Sequence, residues 1–262
     1  MARSKQEILD TLMERYGRTY AEELGIDVGR NTPGPLFELL VACLLMSARI
    51  STTIALRAGR ALLRDHGLTT ADKMADASWQ ERVDALGEGG YVRYDESTSS
   101  YLGETSELLV QRYDGDLRNL REQAGRDPAK QRRLLKEFKG LGDVGVDIFF
   151  REVQVAWEEL YPFADDRVLG AAKRLGLGSS VDDLTGVVDR ADFARLVGAL
   201  TRVHVDDRYD EVRTGHQAEG ESVPTDLQHK TKAELYEQAR QQDVPGRSKM
   251  SKDELIQALA ED

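Results

Sequence analysis

The chain has 262 residues, of which 40% are hydrophobic and 32% charged, a composition typical of a folded globular protein. Its longest apolar run, Leu39 to Met46, is too short to cross a bilayer, and its first residues lack a secretory signal, so a cytoplasmic protein without membrane contact is expected. The net charge of −11 weighs against a nucleic-acid partner, although a local basic surface can coexist with an acidic whole.

The first half of the chain predicts six helices separated by glycine and proline. Ser4 and Glu7 have the spacing of a capping box, which marks a helix N-terminus. Phe37 to Met46 is apolar on nearly every side, as expected of a helix at the centre of a bundle. A flexible joint is predicted at residues 87–90. The predicted helices are Ser4–Tyr16, Phe37–Met46, Ser51–His66, Thr70–Ala77, Ser78–Leu86 and Asp95–Tyr113.

The second half predicts further helices and then a change of composition. The first four are Asp127–Phe138, Val144–Glu159, Asp166–Leu175 and Asp189–Val203. No segment sustains β-branched alternation, so no sheet is predicted and the fold class is all-α. A polar linker is predicted at residues 206–225, between a domain of residues 1–205 and a C-terminal module of residues 226–262. Within the module, two short helices are predicted at Thr231–Gln241 and Ser251–Ala260.

Cysteine and histidine usage limits the metal chemistry that the chain can support. Cys43 is the only cysteine, which excludes an internal disulfide bond and a cysteine-ligated iron–sulfur cluster. The four histidines are scattered and lack the spacing of metal ligands. No metal site and no cofactor are therefore expected.

The most distinctive local pattern is the glycine-rich turn between Phe138 and Asp143. Gly140 and Gly142 flank Leu141, which lets the backbone adopt positive φ and approach an anion closely. The N–H groups at the start of the next helix would then face a phosphate, aided by the helix dipole. A helical hairpin that only reverses the chain would have the same spacing, so both interpretations stay open at this point.

Three segments resemble the helix-hairpin-helix DNA glycosylases related to endonuclease III. The stretch from Leu135 to Phe150, which contains the glycine-rich turn, resembles the family hairpin Leu-Pro-Gly-Val-Gly-Arg-Lys-Thr-Ala. Downstream, Asp165 and the Arg-Leu-Gly-Leu that ends at Leu177 match the spacing of the family's aspartate segment without a gap. Upstream, Phe37-Glu-Leu-Leu-Val-Ala-Cys-Leu-Leu-Met-Ser-Ala48 is similar to its Phe-Glu-Leu-Leu segment.

The resemblance implies a two-lobed helical fold with a cleft that receives a flipped nucleotide. Asp165 is implied as the catalytic carboxylate, with Asp166 as the alternative because the alkylbase glycosylases use the second member of a paired Asp-Asp. Aromatic walls of the base pocket are predicted at Trp79, Tyr91 and Tyr94. The residues implied to contact DNA are Arg49, Lys139, Gly140, Leu141, Gly142, Val144 and Gly145, and an alkali ion at the hairpin carbonyls is a further implication.

Departures from the family pattern refine the predicted chemistry. Val144 stands where bifunctional members have the lysine nucleophile, so a monofunctional enzyme that leaves an abasic site is predicted. Asp143 replaces a basic residue beside the expected phosphate, which is electrostatically unfavourable. Arg49 follows Ala48 where relatives have glutamine, and an arginine there would contact a phosphate.

The C-terminal stretch from Lys230 to Leu259 resembles the small nucleic-acid-binding modules of the SAP and Rho N-terminal type. Arg247, Lys249 and Lys252 cluster near its turn, where a backbone phosphate would bind, whereas a merely solvated charged face is the alternative. The expected partner is double-stranded DNA, bound by a nucleoid-associated monomer. Two other functions stay open: a non-catalytic DNA-binding protein that keeps the fold, and a helical protein–protein adaptor.

Overall fold

The computed structural model describes residues 3–215, 230–241, 250–252, 255 and 259, and no strand occurs among them. The chain divides into two compact units, Met1–Arg213 and Thr214–Asp262. The first half of unit 1 contains α1 (Lys5–Tyr16), α2 (Tyr20–Leu24), α3 (Pro33–Ser47), α4 (Thr52–Arg60), α5 (Ala71–Asp76), α6 (Trp79–Glu88) and α7 (Asp95–Tyr113). The chain then forms α8 (Leu117–Gln123), α9 (Pro128–Leu135), α10 (Asp143–Val153), α11 (Asp166–Leu175), α12 (Val181–Thr185), α13 (Arg190–Val205), α14 (Tyr209–Thr214) and, in unit 2, α15 (Lys232–Gln241). The predicted all-α class is confirmed.

Unit 1 has two hydrophobic cores, which define a large and a small lobe. The large lobe, residues 20–160, is built around α3, in which every residue from Leu36 to Leu45 is buried. The small lobe joins α1 to residues 161–212, because Leu9 and Leu12 pack with the buried faces of α11 and α13. The N-terminal helix therefore belongs to the same core as the end of unit 1. The two-lobed arrangement agrees with the prediction.

Local capping explains where many helices begin. Ser4 and Glu7 form the predicted capping box at α1, and Thr70 and Ser78 cap α5 and α6. Thr19 with Glu22 forms a further capping box at the start of α2, a helix that the periodicity did not predict. The short helices α8, α12 and α14 were also missed, because five to seven residues carry too little periodicity to separate them from loops.

Helix α10 ends earlier than predicted. The sequence pattern predicted a helix to Glu159, whereas α10 ends at Val153 and only a short 3-10 turn, Glu158–Leu160, follows. Trp157 explains the break, because the turned backbone buries its whole side chain in the large lobe. Its ring contacts Phe149 edge to face, and its Nε1 donates to Asn31 Oδ1 at 3.2 Å.

The predicted linker starts too early. Residues 209–214 form α14 instead of a polar tether, and Tyr209 and Val212 are buried in the core of the small lobe. Unit 1 consequently runs to Arg213 rather than to residue 205. Tyr209 and Val212 are three positions apart and so share one face of the helix, which anchors it among the charged residues around them.

Unit 2 has a small core of its own. Leu235 and Ala239 on α15 are buried with Leu255 and Leu259, both of which are helical. Leu235 and Ala239 are four positions apart, which places them on one face of α15. Helix α15 agrees with the first helix predicted for the C-terminal module, whereas most of the second, Ser251–Ala260, lies outside the described residues. No helix in the described part of the chain is long and apolar enough to cross a membrane.

Candidate functional site

The glycine-rich turn links α9 to α10. Gly140 has φ +82°, and a Cβ atom there would lie 2.7 Å from the Tyr101 ring, so both the backbone conformation and the close approach require glycine. Between the two glycines, Leu141 is buried and anchors the turn in the large lobe. The tight turn predicted from the sequence is therefore present.

Helix α10 begins at this turn without a side-chain cap. Gly142 occupies the N-cap position in an extended conformation, and a Cβ atom built there would meet nothing within 4 Å. The backbone N–H groups of the first turn therefore have no capping side chain, the arrangement that binds anions at helix N-termini. Gly145 lets this first turn pack tightly, because a Cβ there would lie 2.4 Å from Ser47 Oγ at the end of α3.

Asp143 lies in the first turn of α10, and nearby cations neutralise its charge. Lys136 Nζ donates to both of its carboxylate oxygens at 2.8 and 2.9 Å, and Arg132 lies 3.8 Å away. The hydrogen bond from Lys136 holds the pKa of Asp143 below its usual range. The repulsion of a phosphate that the sequence indicated is thus reduced by a cation from the preceding turn. Lys139 is exposed, and its carbonyl accepts from Thr105 Oγ1 at 3.3 Å.

Asp165 is the N-cap of α11, as the sequence predicted. Its Oδ1 accepts from the N–H groups of Arg167 at 2.9 Å and Val168 at 3.2 Å, and its Oδ2 accepts from Arg151 Nη1. The side chains of Asp165 and Arg151 are only 9% and 7% exposed, so this is a buried ion pair. Three donors stabilise negative charge on the carboxylate.

Asp166 differs from Asp165 in every one of these respects. It lies in the first turn of α11 and is exposed, and its side chain has no hydrogen bond or ion pair with another described residue. Its interaction with the helix is limited to the favourable electrostatics of an acid near an N-terminus. Of the two adjacent carboxylates, only Asp165 is positioned by surrounding groups.

A cavity of about 410 Å³ lies where α10, α11 and α13 meet the segment after α3. We call it the arginine cleft. Its polar wall is formed by Ser47, Arg49, Thr52, Arg151, Arg167 and Thr201. Its apolar wall includes Met46, Ile50, Val144, Ile148 and Val205. The cleft brings the first turn of the hairpin helix, through Val144, together with Arg49 and with Arg151, the partner of Asp165.

The three aromatic residues predicted to form a base pocket do not line the arginine cleft. Tyr91 is fully buried in the large lobe, and its hydroxyl donates to the Leu45 carbonyl at 3.0 Å, which corrects its prediction as a base-pocket residue. Trp79 is 41% exposed, and its Nε1 donates to Ser100 Oγ and the Glu96 carbonyl on α7. Tyr94 packs against the large-lobe core. None of the three is among the described residues that line the arginine cleft.

Sequence reasoning missed Arg151 and Arg167. Arg151 and Glu152 interrupt the apolar run of α10, and two adjacent charges on a buried helix were the signal that they have internal partners. Glu152 accepts from the N–H groups of Tyr20 and Ala21, both at 3.1 Å, at the start of α2. Burial raises the pKa of the Glu152 carboxyl despite these two donors.

The described residues contain no group of three or more His, Cys, Asp or Glu side chains placed to hold a metal ion. The absence of an iron–sulfur cluster stays a prediction, and so does an alkali ion at the hairpin carbonyls. In unit 2, Lys252 is exposed, and the predicted contact residues Arg247 and Lys249 lie outside the described residues.

Comparisons with known proteins returned the two kinds of protein that the sequence motifs resemble. Residues 226–261 match the family model of the Rho termination factor, N-terminal domain. A solved structure of a trapped endonuclease III–DNA covalent intermediate, in its estranged-adenine complex, is 19% identical. The likeness covers 85% of this chain and 92% of that one, with a TM-score of 0.44, which does not establish a shared activity or a shared site. The comparison with curated proteins found no match.

Proposed function

We propose that the protein is a monofunctional DNA glycosylase-like repair enzyme, acting as a monomer on double-stranded DNA. One observation carries the proposal: the hairpin helix and the arginine that holds the buried aspartate line a single cavity. Val144, in the first turn of α10, and Arg151, which holds Asp165, both line the arginine cleft. The proposed anchor for a DNA strand therefore borders the same cavity as Arg151, with the fixed carboxylate of Asp165 directly behind that arginine.

The hairpin is the proposed anchor for the DNA backbone. The uncapped N–H groups at the start of α10 bind a phosphate, and Gly140 and Gly142 permit its close approach. Lys139, which is exposed, adds a positive charge beside this turn. Such contacts fix the register of the strand and do not select a sequence.

Asp165 is the proposed catalytic carboxylate. When the N-glycosidic bond breaks, the base leaves with the bonding electrons and positive charge develops on the sugar. A fixed negative carboxylate stabilises that charge until water adds to the sugar carbon and loses a proton. Arg151 acts as a positioning residue, because it holds one carboxylate oxygen while the two backbone N–H groups hold the other.

No lysine is available to attack the sugar from the hairpin helix. Val144 stands where the bifunctional enzymes that the sequence resembles have a lysine nucleophile, and its hydrocarbon side chain forms no Schiff base. The product is therefore an intact abasic site. Borohydride should trap no covalent protein–DNA adduct, and efficient trapping would show that another amine, such as that of Lys139, is the nucleophile.

The decisive experiment measures base release from duplexes that carry alkylated, oxidised, deaminated or mismatched bases. Asp165→Asn keeps an N-cap side chain but removes the charge, so it should abolish release while leaving abasic-site binding largely intact. Asp166→Asn is the matched control and should reduce release only modestly. Thermal denaturation of both variants separates a loss of chemistry from a loss of fold. Normal release by Asp165→Asn would refute the proposed mechanism.

A non-catalytic DNA-binding protein is the second candidate, and the environment of Asp165 favours it. Three donors already occupy the carboxylate, and one of them is a guanidinium that opposes positive charge on a nearby sugar. This candidate predicts abasic-site binding without release of any base by the wild-type protein. The same panel of duplexes therefore distinguishes the two functions.

The C-terminal module is proposed to add non-specific affinity for nucleic acid. Its support is the family-model match over residues 226–261, and Lys252 is one exposed cation of the module. Removing residues 224–262 should weaken duplex binding, and the salt slope should fall by roughly one for each lost phosphate contact. Unit 1 has its own cores, so its fold and chemistry should persist. Unchanged affinity would instead indicate a protein-binding module.

A further inference from the structure

The charge of the arginine cleft is opposite to that of the chain as a whole. The sequence has 47 acidic and 36 basic residues, yet the charged residues on the described wall of this cavity are Arg49, Arg151 and Arg167. Asp165 lies behind the wall and pairs with Arg151. Three positive charges and one negative charge leave a local excess of two positive charges facing one cavity.

The donors that face the cavity are largely unused. Arg151 commits only Nη1 to Asp165, and its Nε and Nη2 have no hydrogen-bond partner among the described residues. The guanidinium groups of Arg49 and Arg167 make no hydrogen bond or ion pair with another described residue. A guanidinium offers five N–H donors in a planar fork that matches the oxygens of phosphate. Thr201 lies on the same wall, but its hydroxyl already donates to the Val197 carbonyl at 2.9 Å, so the guanidinium groups are the donors available to a ligand.

Size and polarity define the ligand further. A volume of about 410 Å³ is in the range of cavities that hold small molecules. The apolar wall, which includes Met46, Ile50 and Ile148, suits the flat face of a base or a sugar beside the anion. A phosphate monoester carries a charge of about −1.5 to −2 at neutral pH, whereas a backbone diester carries only about −1. The excess of two positive charges therefore matches a monoester better than the interior of a DNA strand.

We infer that the arginine cleft binds a nucleotide phosphate monoester, either at a DNA strand end or on a free nucleotide. Arg49 and Arg167 approach the phosphate from the segment after α3 and from the first turn of α11, and Arg151 closes the site from α10. This inference deepens the proposed function, because the choice of DNA as the molecule that carries the phosphate rests on that function. Removal of a base does not require recognition of a strand end. The inference therefore adds to the proposed function a preference of the cleft for phosphorylated strand ends.

The test uses the full chain and undamaged duplexes, so it does not depend on base release. Fluorescence anisotropy compares nicked duplexes that carry a 5′-phosphate, a 3′-phosphate or only hydroxyl groups at the nick. At least one phosphorylated nick should bind about tenfold more tightly than the hydroxyl nick. Equal affinity for all three, together with no competition by a nucleoside monophosphate, overturns the inference even if base release is observed.

Two variants locate the preference in the cleft. Arg49→Gln combined with Arg167→Gln should remove most of the difference between phosphorylated and hydroxyl nicks, because both side chains line the cavity. Arg30→Gln is the control for loss of charge outside the cleft: it removes one arginine, which is 71% exposed, so its effect is compared with half of that of the double variant. A preference that persists in the double variant overturns the assignment.

Competition separates the two sources of the monoester. A nucleoside monophosphate that displaces the phosphorylated nick, where the nucleoside does not, identifies a site for free nucleotides as well as strand ends. Displacement only by phosphorylated DNA restricts the ligand to strand ends. Equal displacement by nucleoside and nucleotide shows that the phosphate is not recognised, and it overturns the inference.

Discussion

Two helices that border the arginine cleft begin in opposite ways. Helix α10 starts at Gly142, which has no side chain, so no side chain caps the N–H groups of its first turn. Helix α11 starts at Asp165, whose carboxylate accepts from two N–H groups and pairs with Arg151. The first start leaves its N–H groups without an anion from the protein, whereas the second already contains one. The residue at the N-cap thus decides whether the N–H groups of a helix start stay uncapped or hold a carboxylate in place.

The largest expected effect comes from removing the internal anion of α11. Asp165→Ala deletes the N-cap and leaves Arg151 buried without its partner, which should lower the free energy of unfolding by about 3–5 kcal/mol. Asp166→Ala removes an exposed carboxylate and should change it by less than about 0.5 kcal/mol. Urea denaturation of both variants measures the difference. Equal losses would mean that Asp165 is not the structural anchor of this helix.

Glycine is needed at one position of the hairpin but not at its neighbour. Gly140→Ala places a Cβ at positive φ and against the Tyr101 ring, which should lower the free energy of unfolding by about 1–3 kcal/mol. Gly142→Ala meets nothing within 4 Å, and it should change stability by about half a kcal/mol or less. Thermal denaturation tests the contrast, and a stable Gly140→Ala protein would contradict it.

The start of α10 can be converted into a copy of the start of α11. Gly142→Asp adds a capping carboxylate, which should stabilise the fold by a few tenths of a kcal/mol. It should also weaken duplex binding about tenfold, because the new charge occupies the N–H groups and repels phosphate. Gly142→Asn adds the cap without the charge and should have a smaller effect on binding. If both variants bind duplex normally, the hairpin is not the strand anchor.

The smallest expected effect concerns the charge pair beside the hairpin. Lys136→Gln leaves the exposed Asp143 with only the more distant Arg132, so duplex affinity should fall by roughly two- to fivefold at low salt. Asp143→Asn should raise the affinity by a similar factor, since it removes a negative charge near the phosphate. Both differences should shrink as salt is added, and salt-independent effects would point to a structural cause.

The hairpin and the aspartate were predictable from the sequence because both depend on local chemistry. Two glycines around a leucine specify a tight turn, and an aspartate before a periodic segment specifies an N-cap. Both are present at the predicted residues. Capping residues and glycines act within four residues of themselves, so no distant contact is needed to recognise them.

The aromatic pocket and the linker could not be predicted in this way. Tyr91 and Trp79 are close to a glycine joint in the sequence, but packing buries the first and attaches the second to α7. Three of the six residues 209–214 are charged, yet Tyr209 and Val212 fold into the small lobe. In both places the outcome depended on a partner surface contributed by a distant part of the chain.

By itself, the sequence determined the helical class, the division into two units and the chemistry of the two helix starts. Only the tertiary structure decided that α10 and α11 face one cavity, and that Arg151 there neutralises Asp165 while Arg49 and Arg167 remain available. The physical reason is the range of the interactions: caps and turns are set between neighbours, whereas the charge of a cavity is the sum over side chains from separate elements.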